Sequence, residues 1–417
     1  MNPAPRPAGP AAVPLTGTDW FLLGIDRSMR RRTGSGCVCH LVVVLERPLA
    51  RADVGSEWLA WLGSLRLVAM PPFVLPRWEA RGDPALVREV EAEGPDDLIP
   101  GLVGRMDPLR DACVQLTTAR LADGRGALVL SWHHALLDAR TAEALVASLG
   151  AASAVPALVP ATVTPLAERL RMARGARDFV WDVSVGGLAS PGGWSRAGVS
   201  RHRHMMLSAE EAAVVRRRAE AMGVGLIPSS LHAGAASWAV ADLLRRRGVA
   251  GDLLVPVPQE RRSGAIARVG NGISLLFFRV PVASQGAVEG LAKQALEQVR
   301  RMARDRVPLL MSTLLDLCRW LPIWLYLLIV ALPTRGRLAS FGFSDTGDSL
   351  SRLTHVGGAE VVDAFHLPAN VHPPGLTFVF SQFRGQLQVC VGWAEGVVAA
   401  DEVDGLVASL REALLGS

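Results

Sequence analysis

Apolar and polar positions along the chain follow two patterns, which predict strands and helices in turn. Continuous apolar runs predict buried strands at residues 37–45, 113–121 and 127–132. Asp123-Gly124 lies between the last two runs and predicts a hairpin, because Asp-Gly favours the backbone of a tight turn between strands. Apolar residues at helical spacing follow over 141–146. The first half of the chain is therefore predicted to be an α/β lobe.

The second half repeats the alternation after a change in composition. Residues 151–165 are rich in Ala, Ser, Val and Pro, and residues 185–193 are rich in Gly, which predicts a linker around one short helix. Ser208 and Glu211 have the spacing of a helix capping box directly after a predicted strand at 202–207. Further helices are predicted at 229–247, 288–304 and 401–415. Further strands are predicted at 253–258, 273–282, 375–380 and 387–393. We divide the chain into a flexible lead-in (1–13), a first lobe (14–165), a linker (166–200) and a second lobe (201–417).

The composition favours a globular protein of two domains. The chain has 417 residues, of which half are hydrophobic and a fifth are charged. Its net charge is +5 and Lys293 is its only lysine, an arginine bias typical of GC-rich bacterial genomes. The arginine runs at 216–218 and 245–247 lie on predicted helices without interleaved aromatic residues, so we expect no nucleic-acid partner. We expect these runs to be solvated helix faces, with an anionic phosphate or an acidic carrier protein as the alternative ligand.

The cysteines do not form a recognisable metal or disulfide pattern. Five are scattered along the chain, mostly inside apolar runs, which indicates buried free thiols in a reducing compartment. Cys37 and Cys39 lie beside His40, but no second pair follows at the spacing of a zinc site. We therefore expect no metal.

The most hydrophobic segment, residues 320–332, is shorter than the roughly 20 residues that span a bilayer. We expect a buried helix here. The alternative is a lipid-facing patch that gives a peripheral contact with a membrane or lipid. Residues 1–13 contain no apolar core of signal-peptide length, so a cytoplasmic protein is expected.

The strongest chemical signal is His133-His134-Ala135-Leu136-Leu137-Asp138, at the predicted junction of a buried strand and a helix. A buried imidazole destabilises the fold unless it finds hydrogen-bond partners. Histidine is also the side chain best suited to proton transfer near neutral pH. A core histidine satisfied by backbone groups would explain a lone histidine, but a pair with a nearby aspartate favours a general base. Asp138 also has the position of a helix N-cap.

This HHxxxD sequence resembles the HHxxxDG signature of the acyltransferase superfamily that depends on CoA or carrier proteins. The superfamily includes the condensation domains of nonribosomal peptide synthetases and the wax ester synthase/diacylglycerol acyltransferases. Three further segments match in the same order: 14–19 is similar to the opening segment, 255–262 with 270–274 to "VPVSLR … GNR(V/I)S", and 343–348 to the "SNTGD" loop. The glycine after the motif aspartate is Ala139 here, and the asparagine of the late loop is Asp345.

The resemblance implies an α/β fold of two chloramphenicol-acetyltransferase-like lobes that form a V with a substrate channel between them. It implies that His134 faces the channel as the general base and that His133 supports the motif. It also implies that Asp138 pairs with an arginine of the second lobe, which in this sequence is Arg261 or Arg262.

Three other residues are substrate-channel candidates through the same resemblance. Asn271 either contacts the channel or fixes a turn beside it. Ser344 and Asp345 lie on the loop that crosses between the lobes, where a simple turn is the competing interpretation.

The expected function is acyl transfer in secondary or lipid metabolism, with an ester or amide as product. The donor would be acyl-CoA, or acyl-phosphopantetheine on an acyl carrier protein acting in trans, and the acceptor a small-molecule alcohol or amine. These are co-substrates, and no bound cofactor is expected. Two alternatives stay open: an inactive docking platform that recruits a partner enzyme to a carrier-bound substrate, and a carrier-bound epimerase. Ala139 and Asp345 favour the platform, whereas the retained histidines and Asp138 argue against it.

Overall fold

A computed structural model describes residues 12–55, 65–67, 77–80, 87–102, 104–149, 157–158, 165–184, 186–193, 195–260, 268–283, 287–332, 334 and 336–416. Its strands are β1 (Ala12–Pro14), β2 (Val38–Leu45), β3 (Leu65–Leu67), β4 (Arg77–Ala80), β5 (Val87–Ala92), β6 (Val114–Leu121), β7 (Gly126–His133), β8 (Ala157–Leu158), β9 (Ser200–Leu207), β10 (Asp252–Glu260), β11 (Arg268–Val269), β12 (Ile273–Pro281), β13 (Gly342–Asp345), β14 (His355–Val356), β15 (Ala359–Leu367), β16 (Leu376–Phe383) and β17 (Gln386–Ala394). Its α-helices are α1 (Gly17–Arg32), α2 (Arg51–Val54), α3 (Ala139–Ala147), α4 (Leu166–Ser184), α5 (Ala209–Ala221), α6 (Ser229–Arg246), α7 (Val288–Arg304), α8 (Val307–Cys318), α9 (Ile323–Ala331) and α10 (Ala400–Leu415).

The first sheet has six strands in the order β14-β15-β2-β7-β6-β5. Strand β2 is buried along its whole length and pairs antiparallel with β7, Val38 opposite His133. The predicted Asp123-Gly124 turn joins β6 to β7, with Gly124 at a positive φ of 85° that glycine tolerates best. The HHxxxD motif therefore starts at the end of a central, fully buried strand.

The free edge of β2 is completed by β15, which comes from the C-terminal part of the chain. The division that assigned all of 201–417 to the second lobe is therefore wrong for Ala359–Leu367. An apolar strand with an unpaired edge would leave its backbone N–H and C=O groups without partners, so a distant strand covers it. Local sequence patterns carry no information about this pairing.

The second sheet has four strands in the order β13-β16-β17-β9, and helices α5, α6 and α10 pack around its core. The predicted capping box is present at the start of α5, where the Ser208 hydroxyl accepts from the Glu211 N–H and the Glu211 carboxylate accepts from the Ser208 N–H. Residues 343–345, predicted as part of a loop, instead belong to β13, which runs parallel to β16.

Two other predicted boundaries change. The linker contains α4, a helix of 19 residues that packs against α8, where only a short helix was predicted. Residues 12 and 13 of the lead-in belong to β1, which pairs with β4, and Val13 is buried. Residues 1–11 lie outside the described part of the chain.

The apolar segment 320–332 contains α9, which is buried on one side only. Tyr326 is fully buried against Phe21 of α1, with ring centroids 6.4 Å apart, but Trp324 is 65% exposed and Leu332 69% exposed. The buried-helix prediction is wrong for this face, because α1 covers a single side of so short a helix. The lipid-facing alternative stays a prediction. Within the described residues, no helix is both long enough and apolar enough to cross a membrane.

Candidate active site

His134 follows β7 directly and is held by one ring nitrogen. Its Nδ1 lies 3.1 Å from the carbonyl oxygen of Leu137. A carbonyl can only accept, so Nδ1 carries the proton and Nε2 keeps its lone pair. Burial lowers the pKa of His134 below the ordinary value of 6.5, although the Leu137 carbonyl and Asp138 oppose this shift. The ring is therefore neutral at pH 7, and its Nε2 has no protein partner among the described residues.

His133 has the opposite tautomer, and both of its ring nitrogens lie close to protein groups. Its Nδ1 accepts from the Ala135 N–H at 3.2 Å, which places the proton on Nε2, 3.3 Å from Asp26 Oδ1. Asp26, fully buried on α1, also accepts from the Cys37 N–H at 2.9 Å and from Arg30 Nε at 2.7 Å. Burial raises the pKa of Asp26, but His133, the Cys37 N–H and Arg30 together outweigh it, and the pKa is lowered. Asp26 was not predicted, although a carboxylate on the apolar face of α1 is a signal for such a pair.

Asp138 caps α3 and also binds the second half of the chain. Its Oδ1 accepts from the backbone N–H and the hydroxyl of Thr141, both at 2.9 Å, which confirms the N-cap prediction. Its Oδ2 accepts from the Gly272 N–H at 2.6 Å. Arg261 and Arg262, the predicted partners of this carboxylate, lie outside the described residues.

Asn271 donates hydrogen bonds to the backbone of the motif turn. Its Nδ2 donates to the carbonyl oxygens of His134 at 2.9 Å and Ala135 at 2.8 Å, and lies 3.2 Å from Asp19 Oδ1. Burial raises the pKa of Asp19 to about 7, although hydrogen bonds from Thr16 and Asn271 oppose the shift. Asn271 is not among the described residues that line the cavity beside His134.

A cavity of about 650 Å³ lies between the two halves, and His134 lines it. Both halves contribute apolar lining residues, among them Phe21, Trp132, Phe277, Met311 and Val379. Ser344 and Asp345 line it too, at the end of β13. Cys39 is a further lining residue, but burial raises the pKa of its thiol to about 12. A thiol that stays protonated is a poor nucleophile, so the imidazole is the better candidate for the chemistry.

Two histidine–carboxylate pairs in the cavity wall were missed by sequence reasoning. His366 lines the cavity, and its Nε2 lies 2.9 Å from Glu143 Oε1. Asp345 lines the cavity, and its Oδ2 lies 2.7 Å from His232 Nδ1. The partners are 223 and 113 residues apart, so no local spacing relates them.

Comparisons with known proteins show which solved structures share this fold. No protein-family model matches the chain, and no curated protein matches it in sequence. The first condensation domain of the CDA synthetase has a TM-score of 0.68 at 18% identity, over 98% of this chain and 97% of that chain. The trichothecene 15-O-acetyltransferase TRI3 from Fusarium sporotrichioides has a TM-score of 0.70 at 12% identity, over 97% and 94%. The epimerization domain of the third module of tyrocidine synthetase B has a TM-score of 0.61 at 14% identity, over 97% and 95%.

The fold is therefore that of condensation domains and related acyltransferases, which confirms the predicted fold class and the resemblance at the level of the fold. The three structures are named for three different activities: condensation, acetyl transfer and epimerization. A shared fold does not select among them, so the reaction has to be argued from the site.

Proposed function

We propose that this protein is a condensation-type acyltransferase in which His134 is the general base. The observation that carries the proposal is the state of His134: a neutral ring, anchored on the Leu137 carbonyl, whose Nε2 lone pair is available at a cavity lined by both halves. An alcohol or amine beside Nε2 would lose a proton to it while the oxygen or nitrogen attacks an acyl thioester. The C–S bond then breaks, and His134 returns the proton to the thiolate.

The remaining features support transfer from a thioester. CoA and a carrier-bound phosphopantetheine present the same thioester arm, so either fits as donor. The apolar lining suits an acyl chain and excludes water, which would otherwise hydrolyse the donor. General-base help is typically worth about 10²–10⁴-fold, and holding the acceptor in line with the thioester supplies much of the rest.

Thiol release tests the proposal. Acyl-CoAs and acyl-carrier proteins are each mixed with candidate alcohols and amines, and free thiol is measured for wild type and His134→Ala. We expect acceptor-dependent release that falls by about 10²–10⁴-fold in the variant, because it lacks the base. His355→Ala, which truncates an exposed histidine of β14, is the matched control and should keep full activity.

Acceptor-dependent release that persists in a folded His134→Ala protein would contradict the role of His134. No release from wild type with any donor and acceptor would favour the docking platform. A pull-down with the wild-type chain as bait would then identify the partner enzyme.

A further inference from the structure

The cavity wall formed by β13 carries a carboxylate with a fixed orientation. Asp345 Oδ2 accepts from His232 Nδ1 at 2.7 Å, and its Oδ1 accepts from the Gly347 N–H at 2.8 Å. His232 is itself 2% exposed and stacks on Phe380, with ring centroids 4.8 Å apart. A carboxylate has about four acceptor positions, and these two donors fill half of them. The rest are available to a molecule in the cavity.

This carboxylate is not neutralised by a permanent cation in the part of the chain that the structure describes. Its ion-pair partner is an imidazole, whereas the buried Asp26 is also paired with Arg30. A carboxylate in an apolar cavity is costly unless it is paired. The carboxylate therefore lies in the cavity wall without a permanent cation beside it among the described residues.

We propose that Asp345 binds the protonated amino group of the acceptor, with His232 as a positioning residue behind it. An ammonium group brings a positive charge and three N–H donors, which can fill the open positions on Asp345. An alcohol of the same shape brings one donor and no charge, and charge-assisted hydrogen bonds are roughly twice as strong as neutral ones. The inference rests on the proposed function and deepens it, because it selects a cationic amine as the acceptor.

Amide formation from an ammonium balances with one proton released to solvent. An ammonium and an acyl thioester give an amide, a thiol and one proton: the C–N bond forms and the C–S bond breaks. The nitrogen loses one proton to solvent before it attacks and another when the adduct collapses. His134 carries the second proton to the sulfur. Asp345 holds the amino group and takes no part in these transfers.

Equilibrium binding tests the inference without turnover. The probes are n-octylammonium and 1-octanol, titrated at pH 7 into the full-length protein by calorimetry. Wild type should bind the ammonium at least about tenfold more tightly, and Asp345→Asn should lose this preference because it removes only the charge. His232→Gln should give an intermediate preference. Asp401→Asn, which neutralises an exposed carboxylate of α10, is the matched control and should keep the preference.

A preference that is absent from wild type, or retained in Asp345→Asn, overturns the inference. If Asp345→Asn does not fold, Asp345→Ser takes its place, because a serine hydroxyl can still accept from the Gly347 N–H. Thiol release that depends on His134 without any ammonium preference would overturn only the amine assignment. An ammonium preference without thiol release would support the binding site and contradict acyl transfer.

Discussion

His133 and His134 are adjacent in sequence and differ in every described contact of their rings. In His133, Nδ1 accepts from the Ala135 N–H and Nε2 lies 3.3 Å from the buried carboxylate of Asp26. The protein holds His134 at Nδ1 only, by the Leu137 carbonyl, and leaves Nε2 to the cavity. A ring with both nitrogens engaged inside the protein stabilises the fold, and a ring with one available lone pair can take a proton from a substrate.

The difference comes from what lies on each side of the motif turn. Asp26 is on α1, and its carboxylate lies beside the first imidazole at the end of β7. The second imidazole lines the cavity between the halves, where none of the described residues donates a hydrogen bond to its Nε2. The two histidines therefore have different roles because adjacent positions in the turn have different surroundings.

The largest expected effect on stability is that of His133→Ala. It leaves the buried Asp26 carboxylate with one partner fewer, and a buried group that loses its partner costs about 1–3 kcal/mol, or more when the group is charged as here. Urea unfolding measures this free energy. The double variant His133→Ala/Asp26→Asn should recover part of the loss, since it removes the uncompensated charge. A His133→Ala protein with wild-type stability and lost activity would reverse the roles of the two histidines.

A smaller effect is expected for Asn271→Ala. The variant leaves the His134 and Ala135 carbonyls without their shared donor, and an unsatisfied buried polar group costs about 1–3 kcal/mol. Activity should also fall, because the turn that aims the His134 ring is no longer held. The unfolding free energy and kcat/KM are measured on the same protein. Unchanged values of both would mean that Asn271 does not hold this turn.

The smallest effect is on the pH profile. The pKa of His134 is lowered, so its neutral form persists as the pH falls to the ordinary histidine value of 6.5, and activity should decline only below it. The same shift costs stability in acid, because below 6.5 the unfolded chain binds a proton that the folded ring resists. The acid limb of kcat/KM measures the first effect. A midpoint above 6.5 would contradict a buried neutral base.

Features that depend on near neighbours in the sequence were predicted well. The apolar run at 37–45, the Asp123-Gly124 hairpin, the capping box at Ser208 and the N-cap at Asp138 all agree with the structure. Each rests on hydrogen bonds or alternation within a few residues, which a single sequence displays directly.

Features that depend on distant segments were missed. The pairing of β15 with β2 and the His232–Asp345 and His366–Glu143 contacts join segments more than 100 residues apart. These contacts are determined by tertiary packing, and no pattern of sequence spacing predicts them. The exposed face of α9 was mispredicted for the same reason, since an apolar helix is buried only where another element covers it.

The position of β15 limits how the two halves can move. The strand belongs to the sheet of the first half, and residues 368–375 connect it to β16 of the second sheet. The chain therefore links the two halves at this point. Six paired positions on β2, from Val361 opposite Leu45 to Leu367 opposite His40, hold β15 to the first half, so the halves can separate at this point only as far as residues 368–375 allow. This connection therefore keeps His134 and Asp345 on the wall of one common cavity.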